Sequence, residues 1–365
     1  MGCQTISTSA TSATLLASNF SREGYGFAGW STTYDYSDST GFLGPQEYIT
    51  FSAGQYTGSN NGLSLYAHWI KSAGSLQDWS GCSSLASGAV TALTDQRDGE
   101  TYAIAKLADG KCWMIENLRL ESTNSDNSTG NLAQGYGGQF AGLADAEPAW
   151  ANNSTTANSL YYSGTQDGTA SIDIGTSNAS YRSPRYNNIN TSSRASSPTT
   201  KNTAMYSYGN YYTWSAAIAD TTDYTTNNQS VENTSICPAG WRLPKGGDKS
   251  NEANNEFWSL VVTGINNGTN PANYESSTTP HYNNTPEGTD ASNKLRAYPN
   301  NFVYSGLVSS GTVNGRGGNG RYWSSTANSS GRTYCLYLDS YSVYPGTDNN
   351  LKDNGRTVRC VALSV

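Results

Sequence analysis

Residues 98–118 read DGETYAIAKLADGKCWMIENL. Side chains alternate from Thr101 to Lys106, Asp109-Gly110 is a turn signal, and the alternation resumes from Cys112 to Leu118. Two alternating runs joined by Asp-Gly predict a β-hairpin. Further along the chain, GRYWSSTA (320–327), TYCLYLDSYSVY (333–344) and TVRCVAL (357–363) are strand-like pieces separated by Gly, Asn and Ser turns. YSYGNYYTWSAAIA (206–219) reads as a short strand running into a helical turn. NEFWSLVVTGI (255–265) is the best helix candidate, because Phe257, Leu260, Val261 and Ile265 fall on one helical face.

Composition sets the frame. Of 365 residues, 35% are hydrophobic and 13% charged, and the balance is largely Asn, Ser, Thr and Gly. Nine Trp and 26 Tyr supply the large apolar area that a disordered chain lacks. The expected class is α+β, sheet-dominated and rich in turns. A net charge of −7 without a Lys/Arg cluster argues against a nucleic-acid partner. No run approaches the roughly 20 apolar residues of a membrane span, so direct membrane insertion is not expected. The start, MGCQTISTSA, lacks the apolar core of a signal peptide. The chain is therefore expected to have lost its export signal or to be an excerpt of a longer protein. Scarce Lys with abundant Asn, Thr and Tyr favours an exported, oxidising, extracellular or cell-surface setting.

Residues 1–72 form one unit, opened by REGYGFAGWSTT (22–33) and closed by GLSLYAHW (62–69). Tyr25, Phe27, Gly29, Trp30, Leu65, Tyr66, Ala67 and Trp69 match the pattern of the Listeria–Bacteroides (internalin-type B) repeat. That resemblance implies a small β-grasp-like module of the kind used as a spacer in surface proteins. Residues 73–88, rich in Ser, Ala and Gly, read as a linker. From residue 89 to 365 the chain resembles the Fibrobacter succinogenes major paralogous domain. Five pieces occur in that family's order: DGETYAIAKLADGKCWMIENL, YGNYYTWSAAIA, CPAGWRLP, YWSSTA and VRCVAL. This implies a C-type-lectin-like fold, with a twisted antiparallel sheet, one or two helices and long loops that carry binding. The low-complexity stretches at about 121–200 and 266–294 are read as insertions. Variable proteins of diversity-generating retroelements diversify the C-terminal part of this fold, and residues 316–356 have a similar look, with constant-looking Trp323, Leu336, Leu338 and Val358 interleaved with Asn, Tyr, Ser, Asp and Gly.

The six cysteines and two histidines limit the chemistry. Neither His68 nor His281 stands with a plausible nucleophile, so a hydrolase site is not expected. No C-x-x-C spacing suggests zinc. Three cysteines lie inside family motifs and one shortly before. The resemblance favours Cys237 with Cys360 and Cys82 with Cys112, leaving Cys335 and Cys3 free. Asp348, Asn349, Asn350 and Asp353 offer oxygen ligands, but the lectin-type calcium signatures are missing, and Asp/Asn-Gly runs are more often turns. No metal and no cofactor is expected, nor an enzyme, for want of an acid–base constellation. Trp113, Trp214, Trp241, Trp258 and Trp323 read as core, and Arg242 as a structural ion pair or a donor to backbone carbonyls.

The remaining signal is YCLYLDSYSVYPG (334–346). On a strand, Tyr337, Asp339 and Tyr341 share one face, and Leu336, Leu338 and Ser340 the other. Tyrosine gives large contact area at low entropic cost, and Ser, Gly and Asn give adaptable hydrogen bonds. The expected ligand-binding set is Arg316, Asn319, Tyr322, Asn328, Arg332, Tyr334, Cys335, Tyr337, Asp339, Tyr341, Tyr344, Asn349 and Asn350. The partner expected is a protein or glycan on another cell or particle, met by a monomeric module of a longer surface protein. The alternative is a structural subunit of a cell-surface stalk or fibre.

Overall fold

The computed structural model describes residues 7–119 and 207–363, less short stretches within each. The insertion at 121–200, Cys3 and Asp353 lie outside the described residues. The fold is α+β, with antiparallel sheets predominating.

The first 72 residues hold β1 (Ser12–Thr14), β2 (Tyr25–Ser31), β3 (Phe42–Leu43), β4 (Tyr48–Thr50) and β5 (Tyr66–Lys71). They pair as β3-β2-β5 and β1-β4. The predicted hairpin is present as β7 (Thr101–Lys106) and β8 (Cys112–Met114), with β6 (Val90–Thr94) outside it. Gly110 closes the turn at φ 78°, a conformation L side chains avoid. After α1 (Trp214–Ile218) come β9 (Gln229–Ser230) and β10 (Trp241–Arg242). The expected helix begins as α2 (Glu256–Trp258) and continues as a π-helical run, Ser259–Ile265. The chain then forms α3 (Pro286–Arg296), the ribbon β11 (Leu307–Ser309) and β12 (Thr312–Asn314), three long strands β13 (Asn319–Ser329), β14 (Arg332–Asp339) and β15 (Val343–Leu351), and β16 (Val361–Ala362).

Two sheets organise the second part, in the orders β10-β16-β8-β7-β6 and β15-β14-β13-β9. Both are covered on two faces over much of their extent, which splits the core. One cluster takes Ile104, Met114, Trp214, Trp241, Trp323 and Cys335, and the other takes Ala103, Trp113, Phe257, Tyr322, Leu336 and Leu338. Neighbouring strand residues thus feed opposite clusters, as the two-residue period requires. Two disulfides, Cys82–Cys112 and Cys237–Cys360, clamp the first cluster, each with Cα atoms 5.8 Å apart. They match the pairing expected from the resemblance, and such bonds persist in oxidising compartments. Arg242 makes the anticipated ion pair. Its Nη1 and Nη2 donate to Glu256 at 2.5 and 2.7 Å, and Lys111 Nζ adds a contact at 2.5 Å. Burial would raise the Glu256 carboxyl, but these partners outweigh it and hold it below its ordinary range.

Two expectations about organisation change. Residues 73–88 are a pinned segment, not a free linker. Leu76 is buried, Ala73 and Leu76 N–H groups donate to β6 carbonyls, Trp79 stacks on Trp241 at 5.7 Å, and Cys82 is disulfide-bonded. The small-residue composition concealed these three anchors. The stretch 266–294, read as an insertion loop, contains most of α3. Thr285 caps it by accepting from Gly288 N–H, Pro286 opens it, Lys294 and Arg296 face its negative end, and Ala291 and Leu295 are buried.

The first unit is docked on the second through buried polar contacts. Phe27 N–H donates to Glu116 Oε2 at 3.1 Å, Asn301 Nδ2 to Ala28 O at 2.8 Å, Arg296 Nη1 to Gln46 O at 2.6 Å, and Tyr304 N–H to Gln46 Oε1 at 2.6 Å. Gly26 lies so close to β7 that an added Cβ would stand 2.5 Å from Ala103 N. Gly26 is a contact residue here, because only a missing side chain lets the two backbones approach.

Candidate functional site

The three long strands present one partly open face. Register places Asn319 opposite Asp339, Arg321 opposite Tyr337, and Trp323 opposite Cys335. On the other side of β14, Tyr337 faces Tyr344 and Cys335 faces Asp348. Trp323 and Cys335 are covered by core. The rest of the face opens into a concavity of about 300 Å³, lined by Asn283, Asn284, Arg321, Tyr337, Asp339, Ser342, Tyr344 and Asp348. Leu336 and Leu338 turn to the opposite side and are fully buried. Each contributes about 1.5–3 kcal/mol of burial to holding the strand in place.

A hydrogen-bonded lattice fixes the lining. Tyr337 OH donates to Asp339 Oδ2 at 2.6 Å, while Asp339 Oδ1 accepts from Tyr341 and Ser342 N–H at 2.8 and 2.7 Å. Burial and the Asp339 carboxylate push the Tyr337 phenol above its ordinary range, so it stays a donor. Arg321 lies over the Tyr337 ring at 4.6 Å, and its Nη1 reaches Asp348 Oδ2 at 3.4 Å. Asn350 Nδ2 donates to the same Asp348 oxygen at 2.8 Å. Tyr344 stacks on His281 with centroids 3.9 Å apart and stands edge-on to Tyr337. Behind the wall, Arg356 donates through Nη1 to Cys335 Sγ at 2.6 Å and lies over the Trp323 ring at 4.4 Å. Burial drives the Cys335 thiol up to about 12, so it is a neutral packing group and not a nucleophile.

Of the predicted set, the concavity gathers Tyr337, Asp339 and Tyr344, with Asn350 behind Asp348 and Asn319 beside Arg321. Tyr341 is 60% exposed at its rim, beyond the end of β14. Three expected surface residues are interior. Tyr322 is fully buried and both donates to Val303 O and accepts from Val303 N–H. Tyr334 is buried with its hydroxyl on Asn227 and Asn328. Cys335 is in the core. All three fail as surface residues because this part of the sheet is covered on both faces. Arg316 turns away to Tyr208 and Tyr211, with Nε 3.0 Å from Tyr211 OH. Asn328, Arg332 and Asn349 also lie outside the concavity. Among the described residues, no group of three His, Cys, Asp or Glu gathers to hold a metal ion.

Sequence reasoning missed Arg321, Asn283, Asn284 and Ser342, and weighed Asp348 only as an oxygen ligand for calcium. Arg321 had a signal, since it alternates in step with Asn319 and Trp323 on one strand. The two asparagines come from a polar loop without pattern. No helix among the described residues is long and apolar enough to cross a membrane. Comparison with known proteins found no family model, no curated protein and no solved structure that matches this chain.

Proposed function

We propose that this chain is a cell-surface recognition module that grips a protein or glycan on another cell or particle through the β13–β15 concavity. The observation that carries the reading is convergence. Three strands and one distant loop deliver aromatic, amide, guanidinium and carboxylate groups to a single recess, backed by buried leucines. Ligand sites are concave and carry a few fixed polar groups on a rigid frame. The resemblance to the major paralogous domain and to diversified variable proteins adds that residues 316–356 differ between copies, with Leu336 and Leu338 held constant. The test is capture of target cells or particles by the purified chain. Tyr337→Ala and Tyr344→Ala are expected to reduce capture at least tenfold, and unchanged capture by both refutes the site.

One observation favours the stalk or fibre reading. Tyr34 is 80% exposed and stands edge-on to the partly exposed Tyr66, with ring centroids 5.5 Å apart. Such a pair suits packing against a neighbouring copy. Concentration-dependent polymers in dilute solution, lost in Tyr34→Ser, would support it.

A further inference from the structure

Resting on the assignment of the β13–β15 concavity as a recognition site, we infer that the group it accepts is a neutral sugar ring, held through adjacent hydroxyls by Arg321 and Asp348. The reasoning turns on which polar atoms are already committed. Asp339 accepts three hydrogen bonds within the protein, two from backbone N–H groups and one from Tyr337 OH. Its charge is locked into the frame. Arg321 meets Asp348 only through Nη1 and Oδ2, at 3.4 Å. Arg321 Nη2 and Asp348 Oδ1 have no partner among the described residues, and neither does the Tyr344 hydroxyl. Asn283 Oδ1 accepts from Ser342 and Asn284, which leaves the Asn283 amide hydrogens and the Asn284 carbonyl oxygen open.

The open inventory is therefore mixed. Arg321 Nη2 and Asn283 Nδ2 donate, Asp348 Oδ1 and Asn284 Oδ1 accept, and Tyr344 does either. An anionic group reaching Arg321 would meet the Asp348 carboxylate, and an ammonium reaching Asp348 would meet the guanidinium. With Asp339 counted, an anion meets two like charges against one guanidinium, and an ammonium at Asp348 meets that guanidinium directly while Asp339 is occupied by Tyr337, Tyr341 and Ser342, so neither is favoured. A hydroxyl donates and accepts at once, so two adjacent hydroxyls satisfy the Arg321–Asp348 pair without leaving either charge uncompensated. The lining is mostly polar, unlike the apolar centre of a protein–protein hot spot. A recess of about 300 Å³ is also at the small end of ligand sites, the size of one ring and not of an extended chain.

The test uses the full chain and NMR titration with free glucose, galactose, mannose and N-acetylglucosamine. N-acetylneuraminic acid and a Gly-Gln-Gly peptide serve as the charged and amide arms. At least one neutral sugar is expected to bind with a Kd on the order of millimolar, as about a dozen non-hydrogen atoms allow. Arg321→Gln and Asp348→Asn are each expected to weaken it at least tenfold, and Lys71→Ala on the first unit to leave it unchanged. Because Asp348 also lies near buried Arg356, Asn283→Ala on the exposed loop supplies a second variant, expected to weaken binding severalfold with the fold intact. Binding of the acid or the peptide alone, or of no probe while cell capture still depends on Tyr337 and Tyr344, overturns the sugar assignment and leaves the recognition site standing. Absence of both sugar binding and Tyr337-dependent capture overturns the two together.

Discussion

Glu116 is the sharpest place to perturb the joint between the two units. Its carboxylate is buried and accepts from Phe27 N–H at 3.1 Å and Ala103 N–H at 2.7 Å through Oε2, and from Arg119 Nη1 at 3.0 Å through Oε1. Glu116→Gln keeps the shape but replaces one acceptor with a donor. Whichever way the amide turns, its NH2 faces either two backbone donors or the guanidinium. Arg119 is itself fully buried and retains Glu100 only at 3.7 Å. Breaking a buried ion pair by removing one partner costs about 3–5 kcal/mol, and Glu100 recovers part of it. The expected loss is about 3 kcal/mol, which corresponds to a fall of roughly a hundredfold in local protection. Amide hydrogen exchange reads this directly at Phe27 and Ala103, the two N–H groups in question. Faster exchange at both, with the hairpin turn at Gly110 unaffected, is the expected pattern. Protection unchanged within about threefold would show that Glu116 does not hold the units together, and that apolar packing with the Asn301, Arg296 and Tyr304 hydrogen bonds does.

Four further outcomes follow from the same geometry. Burial pushes Asp109 up to about 6 against the hydrogen bonds from Lys111 N–H and Trp113 Nε1; its raised folded value means stability falls as pH rises from about 4 to about 6, Asp109→Asn flattens that slope, and an NMR titration midpoint near the ordinary 3.8 would refute it. The Cys237–Cys360 bond closes a separation of 123 residues and Cys82–Cys112 one of 30, so in denaturant the paired Ser variants should lose about 5 and about 4 kcal/mol, and the reverse order would count against a loop-entropy account. Tyr322→Phe strands the Val303 backbone groups it bridges; a stability loss of about 1–3 kcal/mol with sugar binding and cell capture intact is expected, and the opposite result would return Tyr322 to the ligand set. Gly26→Ala drives a Cβ into the β7 backbone and is expected to lower the thermal midpoint by several degrees, whereas Gly62→Ala, in open space, is not.

The sequence made the strands legible because their signals are local, whereas the disulfide pairing was expected only from the family resemblance. Asp109-Gly110 between alternating runs and the leucine positions of β14 need no knowledge of what lies across the sheet. The failures have two causes. Tyr322 and Tyr334 fall on the leucine-bearing side of the sheet, where the two-residue period itself buries them. Cys335 alternates with Tyr337 and Asp339, but what covers that face is decided by other parts of the chain, here Arg356. Half of one strand is therefore interior and the other half surface, with no change of pattern between them. The concavity is legible only in part for the same reason. Tyr337, Asp339 and Tyr344 are neighbours in sequence, whereas Asn283 and Asn284 reach them from more than fifty residues upstream. Residues 73–88 misled in the opposite sense, since one Leu, one Trp and one Cys suffice to anchor a segment whose average composition is that of a tether.

Under the proposed recognition role, the pinned segment also bears on how the recess would meet a target. A free joint there would let the site sweep a volume, so that a second, neighbouring module could find a second ligand over a range of spacings at modest effective concentration. With Leu76, Trp79 and Cys82 fastened, the first unit behaves as an arm of set length and angle. Avidity then becomes a matter of match between two spacings, high where the ligands on the opposing surface repeat at the distance the arms dictate and absent where they do not.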